Sequence, residues 1–275
     1  MIGEDRSAIV NPWFDLQSHR YCSLTSDQDW APEWALSDLL DFAADLALPL
    51  HVFRTSPSAV LDYAVRCGQI TQGWHPNFRA DSSHGATPTE VVRTLHGMFG
   101  PTAYARTHEF VESSSAINAL AAAGVLFLSQ VPTMCEPWIA PIRHYSGIVY
   151  LPVFWEDDVW LGRFGTASPA NERYAIEAPG VKIINIHAAH VGMNTPSMAH
   201  YDRERSVLFD PSMTGPQLRH EGRGTRELVR ELVAALRAAN ATITSFPALC
   251  SAVDSASSSD SGKATRAESS TTRTS

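Results

Sequence analysis

Runs of strand character and runs of helical character alternate at least five times along this chain, and that order constrains its fold more than any other feature. A first helix is expected over about residues 32–46, where Trp34, Leu36, Leu39, Leu40, Phe42 and Ala43 make an apolar stripe at helical spacing. "LPLHVF", 48–53, follows as a buried strand. In "TPTEVVRTLHGMFG", Thr87 reads as an N-cap, Pro88 as a first-turn proline and Glu90 as the partner in a capping box. "AYARTHEF" reads as a strand, "SSSAINALAAAG" as a helix ended by Gly124, and "VLFLSQ" as the next strand. "GIVYLPVFWEDD" and "VKIINIHAAHV" add two β-branched runs, "TRELVRELVAALRAAN" an amphipathic helix and "TITSF" a last strand. Such alternation predicts an α/β fold of parallel strands with helices outside, open or closed into a barrel, and chemistry at the carboxyl ends of the strands.

Composition bounds what such a fold could serve. The 275 residues are 44% hydrophobic and 18% charged, enough for one large core. No Pro, Gly or Ser-rich linker divides them, so one domain is expected over residues 1–250, with the Ser/Thr-rich stretch 251–275 as a disordered tail. A net charge of -8 argues against a phosphate-backbone surface, and nucleic acid is not an expected partner. Four cysteines without a Cys-x-x-Cys pair read as reduced thiols. "MIGEDRSAIV" lacks the basic and apolar parts of an export signal, and no apolar run reaches the ~20 residues that span a bilayer. A cytoplasmic protein without a membrane span is expected, and the sequence leaves its oligomeric state open.

The polar residues gather where strands end: Asp27 and Asp29, His75, Arg106 and His108, Glu156 to Asp158, and His187. Two acids one residue apart, as in "LTSDQDWAP", repel each other and call for a cation, a hydrogen-bond cage or solvent. A glycine-rich phosphate loop and a Gly-x-Ser-x-Gly elbow are both absent from the sequence.

Taken in order, "TSDQDWAP", "GWHPNF" with "SSHG", "ARTH", "YLPVFWEDD" and "IINIHAAHVGMNT" span roughly residues 20–240. They resemble the polysaccharide deacetylases of the NodB homology type (carbohydrate esterase 4-like), and most closely the cytoplasmic branch found in sugar and O-antigen gene clusters. The resemblance implies a distorted (β/α) barrel and a metal-dependent N-deacetylase. Its substrate would be a small N-acetylated amino sugar or a sugar-containing biosynthetic intermediate. It also implies one divalent metal ion, zinc first, with nickel, cobalt or iron also suited to nitrogen and oxygen ligands.

By position, the resemblance makes Asp27 the general base and Asp29 and His75 metal ligands. The family's second histidine, one helical turn on, is replaced here by Arg79, which cannot coordinate a metal, and His84 in "SSHG" is the nearest substitute. Arg106 would hold Asp27 ionised, and His187 would protonate the departing amine. One acid among Glu156, Asp157 and Asp158 would support His187, and strand alternation leaves the choice open. His190 and Asn194 would lie over the pocket mouth, and Trp155 either stacks on a sugar ring or sits in the core. His108, His144 and His200 read as surface or hydrogen-bonded core. Two further readings stand beside this one. The missing one-turn histidine pair motivates a catalytically inactive sugar-binding relative, and the same barrel could hydrolyse another non-peptide C–N bond.

Overall fold

The computed structural model of the protein describes residues 18–210, 213 and 215–255. From β1 (Arg20–Asp27) the chain passes through α1 (Glu33–Asp45), β2 (Leu50–Arg54), α2 (Ala59–Arg66), β3 (Ile70–Trp74), α3 (Pro88–Phe99), β4 (Tyr104–Ala105), α4 (Ser114–Ala122) and β5 (Phe127–Leu128). A hairpin of β6 (Ile142–Arg143) and β7 (Val149–Tyr150) leads into β8 (Val153–Glu156), α5 (Asp157–Phe164), α6 (Arg173–Glu177) and β9 (Gly180–His187). Then come α7 (Ala188–Met193), α8 (Met198–Glu204), α9 (Gly215–Leu218), α10 (Thr225–Ala238), β10 (Thr242–Ile243) and a helix over 246–255.

The strands lie in the order β6-β7-β5-β4-β3-β2-β1-β9-β8, with β10 on β1, and among these pairings only β6 with β7 is antiparallel. An isolated bridge between Pro132 and Val153 ties the chain after β5 to β8. The sheet thereby curls into the distorted (β/α) barrel that the resemblance implies, where strand–helix alternation leaves an open sheet possible. β1 and β9 stay in register over their full length, from Arg20 opposite Gly180 to Asp27 opposite His187. That unbroken ladder sets two side chains of the later chemistry next to each other.

The helices form as their sequences dictate. Thr87 accepts from the Glu90 backbone N–H while the Glu90 carboxylate accepts from that of Thr87, closing the expected capping box. α1 buries Ala35, Leu36, Leu39, Leu40, Phe42 and Ala43 against the sheet, and α10 buries Leu228, Val229, Leu232, Val233 and Leu236. Each of the larger side chains contributes roughly 1.5–3 kcal/mol on leaving water. In β3, a Cβ on Gly73 would lie 2.8 Å from the Tyr104 carbonyl oxygen, so only glycine lets β4 approach this closely.

Three stretches depart from the sequence reading. "AYARTHEF" is a strand only at Tyr104–Ala105; His108–Phe110 form a 3-10 turn in which Glu109 and Phe110 have positive φ. "GIVYLPVFWEDD" divides at Leu151 and Pro152 into β7, which pairs with β5, and β8, which pairs with β9. The tail expected from Ser251 is helical through 255, with Val253 fully buried beside Phe246, Leu249 and Cys250. The remainder, 256–275, lies outside the described residues. All four cysteines are free thiols, and among the described residues no helix is long and apolar enough to cross a membrane.

Candidate active site

β1 delivers Asp27 to the barrel mouth, and the turn that follows delivers Asp29. Within the strand, alternation puts Thr25 and Asp27 on the inner face, where both meet Arg106. Beyond it, Asp29 and Trp30 both take left-handed backbone, at φ 43° and 54°. Asp tolerates that region better than Trp does. Gln28 braces the turn: its backbone N–H donates to the Phe53 carbonyl, and its side-chain oxygen accepts from the N–H groups of Thr55 and Ser56. A chain reversal, rather than the two faces of one strand, gives the two carboxylates their different aims.

Asp29 meets two imidazoles. His75, just past the end of β3, brings Nε2 to 3.0 Å from Oδ1, and His108, past the end of β4, brings Nδ1 to 2.8 Å from the same oxygen. Asp29, His75 and His108 offer one donor atom each within 4.8 Å of one another. Burial alone would raise the Asp29 pKa, but the His75 charge and the hydrogen bonds from both rings hold it well below the usual carboxylate range. Burial pulls His75 down while Asp27 and Asp29 push it up, and the net result is a raised value. The His75 Nδ1–H donates to the Arg106 carbonyl at 2.8 Å, which orients the ring and turns Nε2 to the site. A carboxylate and two imidazoles, with one ring anchored from behind, suit a divalent ion of the zinc type.

His84 stands elsewhere. Its Nε2–H donates to the Thr55 carbonyl at 2.9 Å and its Nδ1 accepts from the Asn77 backbone N–H at 3.2 Å, so both nitrogens are committed to holding loops. Burial lowers its pKa and keeps it neutral, against the opposing hydrogen bond to Thr55. Trp30 lies between His84 and His108, edge-on to His108 at 5.1 Å. His84 is therefore not among the groups that converge on Asp29, and His108 stands where His84 was expected. The sequence held one signal for His108: it lies two residues past a strand-end residue, Arg106, as Asp29 does past Asp27.

Arg106 is fully buried under the mouth. It donates to Asp27 Oδ1 at 3.0 Å, Thr25 Oγ1 at 3.0 Å, Ser129 Oγ at 2.6 Å and Asn185 Oδ1, and it lies 4.5 Å above the Phe53 ring. The Asn185 amide donates to Asp27 Oδ2 at 2.9 Å and to Glu156 Oε1 at 2.7 Å. Asp27 is thus gripped by both a cation and an amide.

β9 ends at His187, whose Nε2 lies 3.4 Å from Asp29 Oδ2 and 3.9 Å from Asp27 Oδ2. Its Nδ1–H donates to Asp157 Oδ1 at 2.6 Å, and its backbone N–H donates to Asp157 Oδ2. Burial opposes the charged ring, yet the Asp157 and Asp158 charges and the Asp157 hydrogen bond hold its pKa well above the ordinary histidine value. Of the three acids left open by the sequence, Asp157 is the one bonded to His187. It starts α5, where strand alternation no longer applies, and an irregularity between Val153 and Trp155 had already shifted the β8 register. Glu156 borders the pocket next to Asn185; burial, with the Asp158 charge, pushes its carboxyl up to about 8.

The pocket measures about 390 Å³ and is lined by Asp27, Asp29, His75, His108, Glu109, Glu156, Asp158, His187, His190 and Tyr201 together with apolar residues that include Phe110, Val159 and Met198. His190 is buried on one wall, with Nδ1 3.1 Å from Thr195 Oγ1. Two expected residues stay away from this space. Trp155 is fully buried near Trp160 and offers no face to a sugar. Asn194 caps α7 at a left-handed φ of 48°, its amide donating to the His220 and Gly222 carbonyls.

The sequence profile of the WbmS-like polysaccharide deacetylases matches residues 24–205, well over half of the chain. Among solved structures, the fold is similar to a protein from Bordetella bronchiseptica described as a polysaccharide deacetylase involved in O-antigen biosynthesis. The two share 24% identity at a TM-score of 0.69, over 78% of this chain and 89% of that one. An acetyl xylan esterase of family 4 from Clostridium thermocellum, solved with a cobalt ion, aligns at 11% identity and a TM-score of 0.46, over 84% of this chain and 90% of its own. No curated protein sequence matches this one.

Proposed function

The chain belongs to the WbmS-like polysaccharide deacetylases, and on that premise we propose that it is a metal-dependent N-deacetylase of a small N-acetylated amino sugar or a sugar-containing biosynthetic intermediate. One observation carries the reading: a carboxylate and two imidazoles converge beside an arginine-held aspartate on one side and an aspartate-held histidine on the other. Asp29, His75 and His108 would hold one divalent ion, with zinc the best match to the donors. When bound, such an ion supplies a Lewis acid for the amide carbonyl and acidifies water at the site.

The remaining work falls to side chains. Asp27 takes the proton of the attacking water; Arg106 and Asn185 hold its carboxylate in place at the pocket. His187 carries a proton on Nε2 at neutral pH and gives it to the amine nitrogen as the C–N bond breaks. Asp157 stabilises that imidazolium and fixes its tautomer through Nδ1. The lining contains five carboxylates and no lysine or arginine, which favours an uncharged acetamido sugar over one whose phosphate enters the pocket.

Acetate release from a panel of N-acetylhexosamine derivatives, with metal analysis of the purified protein, tests this reading. Asp27→Asn is expected to retain the metal and lose roughly 100-fold or more in kcat, whereas Asp29→Ala loses both. A metal-free wild type that releases no acetate would overturn the reading.

A further inference from the structure

The pocket contains a second convergence of the same donor composition. Asp158, His187 and His190 offer one ligand atom each within 4.8 Å of one another. They come from the first turn of α5, the end of β9 and the middle of α7, and all three border the pocket. Both rings are anchored on the side away from it: His187 through Nδ1 to Asp157, and His190 through Nδ1 to Thr195. That arrangement fixes ring orientation and leaves Nε2 as the coordinating atom, as metal-binding histidines generally require. The rings stand nearly perpendicular, with centroids 5.7 Å apart.

A third set, Asp27, Glu156 and His187, overlaps this one but is less suited to a cation. The Asp27 oxygens are taken by Arg106 and Asn185, and an ion there would face the guanidinium. Among the described residues Asp158 has no arginine or lysine partner, and its Oδ1 accepts only the neighbouring Val159 N–H.

We propose that Asp158, His187 and His190 form a second, inhibitory site for a divalent cation of the zinc class, beside the Asp29–His75–His108 centre. The inhibitory part rests on the deacetylase reading, because a cation on His187 Nε2 occupies the lone pair that must carry the proton to the leaving amine. Asp29 joins the two centres: Oδ1 faces His75 and His108, while Oδ2 lies 3.4 Å from His187 Nε2. Filling the second site therefore also draws on the carboxylate of the first.

Calorimetric titration of the metal-stripped full chain with Zn2+ tests the site without any substrate. Wild type is expected to bind two equivalents, and His190→Gln and Asp158→Asn one each. Acetate release, normalised for each protein to its own value at one equivalent, is expected to fall with excess Zn2+ in wild type. In His190→Gln the inhibitory concentration should rise at least about tenfold. A single equivalent in wild type overturns the proposal, as do two equivalents retained by both variants, or inhibition unchanged in His190→Gln. Failure of the deacetylase reading shows separately, as absent acetate with the binding stoichiometry intact.

Discussion

His84 and His108 flank the same tryptophan, and the fate of their ring nitrogens separates them. His84 spends both on backbone groups, whereas His108 turns Nδ1 to Asp29. His108→Ala is therefore expected to abolish stoichiometric metal binding with little loss of stability. His84→Ala should keep the metal and cost about 1–3 kcal/mol in urea unfolding, because it orphans the Asn77 N–H and the Thr55 carbonyl. Metal analysis and denaturation of the two variants together check the pair. The sequence named both residues and put His84 first, whereas the structure sets His108 beside Asp29, since motif spacing does not reveal where a loop spends its hydrogen bonds. Asp157 was equally hidden: the residue that begins a helix no longer obeys the alternation of the strand before it. The Asp27–Arg106 contact came from the family resemblance, while strand-end placement said only that a parallel sheet brings both residues to one rim.

Among the elements, β2 places a titratable group inside the barrel. His51 Nδ1 lies 2.8 Å from Thr71 Oγ1, and the ring packs against Phe53, Tyr104 and Phe246. Burial, assisted by the Arg106 charge, pushes its pKa down to about 3. The unfolded chain, with an ordinary value near ~6.5, binds the proton first, so this residue's effect on stability turns unfavourable as pH falls from that value toward the folded pKa. At pH 5 the loss attributable to His51 is about 2 kcal/mol. Urea unfolding at pH 7 and pH 5 should show wild type losing that much more than His51→Gln, whose side chain does not titrate. Equal losses would place the acid sensitivity elsewhere. Element order was readable from periodicity and caps, since each helix carries its own stripe and stop signals. Strand extent and partners were not. Pro152 parts one apolar run into two strands with different neighbours, and the β8 irregularity resets which side chains face inward. Both follow from tertiary pairing, which a local pattern does not encode.

At the scale of the whole molecule, the pocket opens at the carboxyl ends of the strands and the helix over 246–255 closes the opposite end. Phe246, Leu249, Cys250 and Val253 are buried against Phe53, Phe127, Val149, Val181 and Ile183. Composition alone assigned the last of these helical residues to a polar tail, because one buried valine among serines carries no periodic signal. Phe246→Ala is expected to cost about 3–5 kcal/mol in urea unfolding while leaving metal stoichiometry unchanged, since Phe246 packs on His51, Phe53 and Tyr104 rather than on Asp29, His75 or His108. Loss of metal in that variant would mean that base and mouth are mechanically linked. The stopper at the base also sets a timetable. Strands β1 to β10 are all translated before residue 246, so a growing polypeptide leaves Phe53, Phe127, Val149, Val181 and Ile183 uncovered until the helix over 246–255 emerges. Burial of that base thus belongs to the closing moments of synthesis, after the helix over 246–255 has seated.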